Sequence, residues 1–154
     1  MKRATKLRTK LSQPVLSALF VASLFTTPAM GAGEDVVPGP LPPEQIQGKV
    51  SYITGGVGQE EAAAMRLQAP RFPLSLEFIK AAKPNAEFLS GVNVTIKDQQ
   101  GQTVLSTVSE GPILLARVPP GKYTVTVLAQ EQGQAKQRNV VVAERKPEHI
   151  VFEW

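Results

Sequence analysis

The chain has 154 residues, 17 Lys+Arg against 13 Asp+Glu, a net charge of +4, one histidine and no cysteine. The missing cysteine excludes disulfides, thiolate metal sites, cysteine nucleophiles and a lipid-modified cysteine. The positive charge does not point to nucleic acid: Lys2, Arg3, Lys6, Arg8 and Lys10 carry five of the cations, and residues 1–31 carry none of the acids. Without that segment 12 cations face 13 anions, with no basic run longer than Arg145-Lys146. No electrostatic footprint for a polyanion is left.

Residues 1–31 have the layout of a secretory signal peptide. A basic start is followed by the apolar stretch Val15 to Phe25, then Pro28 and the small residues Ala29-Met30-Gly31-Ala32-Gly33. The expected cut follows Gly31, with Ala29 three positions in from it; a cut after Ala29 is the alternative. The apolar stretch is about eleven residues, whereas a spanning helix needs about 20. No later segment reaches that length, so no transmembrane helix is expected. Arg3 and Arg8 are not adjacent, so a twin-arginine signal is not supported. The expected location is periplasmic or secreted. The remaining chain is ample for one domain without covalent staples.

Residues 32–48 form a proline-rich linker or arm, because Pro38, Pro40, Pro42 and Pro43 remove backbone donors and favour extended chain. Residues 49–154 form the domain. Lys49 to Thr54 is predicted as a strand. Gly55-Gly56-Val57-Gly58 opens a predicted helix, Gln59 to Gln68, with Glu60 and Glu61 in its first turn and Pro70 to stop it. From Phe72 the apolar period switches to two. Leu74, Leu76 and Phe78 alternate with polar residues, as do Val92, Val94 and Ile96. Asp98-Gln99-Gln100-Gly101 turns the chain into Thr103–Val108. Ile113–Val118, Tyr123–Ala129, Gln134–Val142 and Ile150–Trp154 complete the strands, separated by Pro119-Pro120-Gly121 and Glu131-Gln132-Gly133. About seven short strands at near-regular spacing predict a mainly β fold. The form expected is an antiparallel Greek-key β-sandwich with one short N-terminal helix.

Two stretches carry a family resemblance: Gly91-Val92-Asn93-Val94-Thr95-Ile96-Lys97-Asp98-Gln99-Gln100-Gly101, and Val118-Pro119-Pro120-Gly121-Lys122-Tyr123-Thr124-Val125. In this order they resemble the carboxypeptidase regulatory-like domains, over roughly Gly91 to Val142. The resemblance implies a transthyretin-like sandwich of accessory, adhesive or structural use. Asp98, Gly101, Pro119, Pro120, Gly121 and Tyr123 are then fold-signature residues. Pro120 presets its φ and Gly121 supplies a positive φ. Tyr123 buries its ring while its hydroxyl reaches a backbone group. The helix and its glycine loop lie outside that pattern. They look like a stretch found in small exported proteins of Gram-negative bacteria.

Candidate chemistry is sparse. Gly55, Gly56 and Gly58 before a helix suggest an anion cradle. But no Lys-Ser/Thr follows, and Glu60 and Glu61 repel phosphate, so a tight turn is favoured. His149, beside Glu148, has no serine or carboxylate brought to it by sequence, which leaves it a surface or strand-edge role. One histidine without cysteine does not make a nitrogen- or sulfur-rich metal site. Transthyretin-like hydrolases end in Tyr-Arg-Gly-Ser; this chain ends Val151-Phe152-Glu153-Trp154. Lys97 and Asn139 are nominal partners for an internal isopeptide bond, with nothing in the sequence to join them. The alternating aromatic C-terminus resembles an outer-membrane barrel signal, but most of the strands are too short for a barrel.

The expectation is a non-catalytic exported binding or structural module of the bacterial envelope, without cofactor, catalytic residues or metal. Its partner would be a protein or glycan, met by the surface loops containing Gly55, Gly56 and Gly58, Ser109, Glu110 and Gly111, or Glu131 to Gly133. A carbohydrate-binding module, a hydrolase and a small outer-membrane barrel are the alternatives. The first of these needs an exposed aromatic platform, including Tyr52 and Trp154.

Overall fold

The computed structural model describes residues 36–154. The export signal expected at 1–31 lies outside the described residues. Ten strands surround one helix: β1 Gln45–Gln47, β2 Val50–Gly55, α1 Gln59–Gln68, β3 Leu74–Lys80, β4 Glu87–Phe88, β5 Val92–Asp98, β6 Thr103–Ser109, β7 Ile113–Arg117, β8 Gly121–Ala129, β9 Gln134–Val142 and β10 Glu148–Glu153. One sheet runs β1-β2-β7-β3-β10, with β4 also paired to β3; the other runs β6-β5-β8-β9. The chain leaves the second sheet after β6, forms β7 in the first, and returns as β8 beside β5. Both sheets keep free edges, so the fold is a sandwich and not a closed barrel.

The period-two pattern builds the core. Val92, Val94 and Ile96 of β5 and Tyr123, Val125 and Val127 of β8 face Leu74, Leu76 and Phe78 of β3 and Phe152 of β10. Phe78 and Phe152 stack with ring centroids 6.2 Å apart. Truncating either to alanine removes a fully packed ring, a change that costs about 3–5 kcal/mol in protein cores.

Three features differ from the sequence expectation. β10 pairs with β3 in parallel, Glu148 opposite Leu74 and Phe152 opposite Phe78, so the first sheet is mixed. A parallel neighbour needs a long connection, and residues 81–147 supply one that includes the whole second sheet. The end of the proline-rich arm also joins the sheet: Gln45 to Gln47 pair with Val50 to Tyr52 around Gly48, whose φ is 59°. Side-chain amides hold this strand. Tyr52 Oη donates to Gln45 Oε1 at 2.9 Å, and Gln47 bonds both the N–H and the carbonyl of Ser106 on the free edge of β6. Finally, Gly121 does not have a positive φ. It already belongs to β8, opposite Val142. What it provides is space, because a Cβ there would sit 3.4 Å from the Tyr123 ring and hydroxyl.

The two signature turns have physical causes. Asp98 Oδ1 accepts the N–H groups of Gln100 and Gln102, each at 2.9 Å, and Gly101 takes φ 78°. Tyr123 buries its ring in the core and donates its hydroxyl to the Pro119 carbonyl at 2.7 Å. Burial raises the Tyr123 hydroxyl above its ordinary 10.0, and the Asp98 carboxylate adds to the shift. A raised folded-state value means that the neutral phenol is favoured by folding. The stabilisation is therefore present below pH 10 and is lost as pH climbs through the raised value. Tyr123→Phe is expected to cost about 1 kcal/mol at neutral pH. In paired urea denaturations the gap between native protein and Tyr123→Phe narrows above about pH 10. A gap unchanged at higher pH contradicts the assignment.

Candidate functional site

The glycine loop between β2 and α1 holds an anion, and the anion is the protein's own. Glu61 Oε1 accepts the N–H of Gly56 at 2.6 Å and of Val57 at 3.2 Å. Gly56 and Gly58 have φ 90° and 85°, a left-handed backbone that aims these amides at the first turn of α1. The cradle is therefore filled from within and is not free for a phosphate. The favoured turn is what forms, and Glu61, expected in the first turn of the helix and as a source of repulsion to phosphate, locks it.

Four of the six loop candidates are not surface residues. Gly55, Gly56, Ser109 and Gly111 are buried; Gly58 and Glu110 are exposed. Gly111 lies against the backbone of Gly55 so closely that a Cβ would overlap its carbonyl. The Ser109 hydroxyl donates to the Gly111 carbonyl at 2.7 Å. These residues let two chain segments cross in contact, which requires glycine and a satisfied hydroxyl.

Their packing nonetheless brings both segments to one cleft of about 350 Å³. It is bounded by Gly56–Gly58, by Ala62 and Arg66 of α1, by Phe88 and Ser90, and by Pro112. Val57 and Phe88 are 64% and 58% exposed. Arg66 is fixed on both sides: Nη2 donates to Glu77 Oε1 at 2.8 Å, and the guanidinium carbon sits 5.1 Å from the Phe88 ring centroid. Sequence reasoning missed Arg66, Phe88 and Ser90. The sole signal for them was an arginine late in a helix and an aromatic outside any alternating run.

Beyond Arg66 the same sheet face continues as a polar chain. Glu77 Oε2 lies 3.8 Å from His149 Nε2, and His149 Nδ1 hydrogen bonds with Ser75 Oγ at 2.9 Å. The parallel register of β3 and β10 sets His149 opposite Ser75, so a serine and a carboxylate do reach the histidine. The set is unlike an acyl-transfer site in two respects. Ser75 is only 3% exposed. Its strand is paired on both sides, with β7 and with β10, so the nearby amides are used in the ladders and do not converge on a developing oxyanion. The cluster ties β10 to β3 from above.

Lys97 and Asn139 share the outer face of the second sheet, but both register with Thr124, which stands between them and bonds Asn139 Oδ1 at 3.1 Å. Lys97 and Asn139 are thus on strands that are not neighbours, with the Thr124 side chain between them. Tyr52 and Trp154 form no platform: Tyr52 is buried, and Trp154 is half-buried with Nε1 donated to the Gln134 carbonyl at 2.7 Å. Gln130–Gln132 form a 3-10 turn closed by Gly133 at φ 62°. No three His, Asp or Glu side chains gather into a metal-holding group among the described residues. No helix among them is long and apolar enough to cross a membrane.

Removing the internal anion tests the loop. Glu61→Ala leaves two amides without their partner and is expected to destabilise the fold by about 1–2 kcal/mol in chemical denaturation. Glu60→Ala, whose carboxylate makes no such bond, serves as the control. Equal effects from both would show that the cap is unimportant.

No family model matches the chain, and comparison with curated proteins returns no match. Among solved structures, the chain is similar in part to BcpA, the major pilin subunit of Bacillus cereus. The TM-score is 0.35 and the identity 16%, covering 52% of this chain and 28% of that one.

Proposed function

We propose that the protein is an exported, non-catalytic binding module of the bacterial envelope, and that its ligand site is the cleft between α1 and β4. One observation carries the reading: Val57 and Phe88 are held largely in solvent, and both line one cleft of about 350 Å³. Large apolar side chains kept exposed around a concavity are what a binding site requires. Export rests on the layout of residues 1–31. The resemblance of Gly91–Val142 to carboxypeptidase regulatory-like domains supports an accessory role. The buried hydroxyl of Ser75, with no amides aimed at it, argues against turnover at the one serine–histidine–carboxylate set.

Export and binding are tested separately. A C-terminally tagged chain expressed in a bacterial host is expected in the periplasmic fraction, shortened by about 31 residues. Unprocessed chain in the cytoplasm removes the export reading. In an amide chemical-shift screen of apolar fragments, hits are expected at Val57, Ala62 and Phe88. Hits confined to the groove of about 430 Å³ beside Asp98 and Tyr123 remove the cleft from consideration.

A further inference from the structure

We infer that the cleft selects an amphipathic carboxylate, with an acyl or aryl body in the slot and the acid group on Arg66. This rests on the cleft being the binding site and adds the class of ligand. Val57, Ala62, Phe88 and Pro112 give the slot apolar walls, so the body of the ligand is apolar. Between Gln59 and Arg66 the helix side of the slot extends about 10 Å, room for a medium-length chain.

The acid group follows from charge. Arg66 is the one ionisable side chain lining the cleft. The nearby acids do not line it. Glu61 is bonded to Gly56 and Val57, Glu60 lies on an adjoining groove with Gly39 and Pro40, Glu87 pairs with Lys80, and Glu77 meets Arg66 from outside the cleft. A guanidinium has five N–H donors. Glu77 engages one at Nη2, and no other bond of this guanidinium forms among the described residues. Glu77 and the Phe88 ring also hold the group in place, so little ordering is lost when it receives a second carboxylate. A sugar would find walls that are mostly apolar, with polar side chains only at Gln59, Arg66 and Ser90. A phosphate would find a single cation and no free amide cradle. A carboxylate on an apolar body matches both the fork and the slot.

The probes are octanoate, octan-1-ol and octylammonium, titrated into the full chain and followed by amide shifts of Val57, Ala62 and Phe88. Octanoate is expected to bind about tenfold or more tightly than octanol, and octylammonium most weakly. Arg66→Met is expected to abolish the preference for octanoate while leaving octanol binding unchanged. Phe88→Ala weakens both. Equal affinity for octanoate and octanol, or tighter binding of octylammonium, overturns the inference and leaves an apolar binding cleft standing. Absence of cleft shifts with every probe overturns both readings. If Arg66→Met fails to fold, the order of the three probes on the native chain still decides.

Discussion

Strand β7 buries both of its faces. Leu114 and Ala116 point between the sheets, while Ile113 and Leu115 point the other way, and all four are buried. A two-layer sandwich covers one face of each sheet and leaves the other to water. Each large apolar side chain left there would forgo about 1.5–3 kcal/mol of burial. The fold resolves this with a third, partial layer. Ala62 and Met65 of α1, with Phe72 after it, close over Ile53, Ile113 and Leu115 as a second small core.

Placing that cover dictates much of the local chemistry. α1 has ten residues, too few to be stable on propensity alone, and it persists through this contact. To lie back on the sheet directly after β2, the chain turns through Gly55–Gly58, where Gly55 rests on Gly111. The amides exposed by that turn are then satisfied by Glu61. The arm holds the cover from its other side: Gly39 N–H donates to the Glu60 carbonyl at 3.0 Å, and Glu44 meets Arg117 at 3.5 Å. Arg117 in turn lies over the Phe72 ring, 4.0 Å from its centroid. Beyond the cover, the face over β3 and β10 carries Ser75, Glu77 and His149, with Val151 exposed among them.

Much of this was legible in the sequence where one residue type has one physical use. α1 begins and ends where its glycine loop and the chain before Pro70 place it. β5 and β8 follow from strict alternation, and Asp98 and Tyr123 from turn chemistry. The run Ile113-Leu114-Leu115-Ala116 also carried a message, since an unbroken apolar strand signals burial on both sides. Other features left no local trace. β1 is held by glutamine side chains and has no apolar period. β4 is two residues long. The meeting of Ser75 with His149 depends on a parallel pairing between residues 74 positions apart, and no spacing rule reaches that far.

The cleft follows from how β3 changes partners. β7 pairs with β3 only as far as Glu77, and β4 takes over at Ile79. The exchange occurs at Phe78, whose N–H donates to the Pro112 carbonyl at 2.9 Å and whose carbonyl accepts the Leu89 N–H at 3.0 Å. Two chain segments therefore end side by side against one strand, and their flanking residues, Pro112 and Phe88, stand apart above it. α1 reaches this gap with Gln59, Ala62 and Arg66. Ala62 brings only a methyl group to the gap, and the arginine places one cation at its margin. The core accounts for Ile113, Leu115 and Met65. It does not enclose Val57 and Phe88, which stay exposed where they line the cleft.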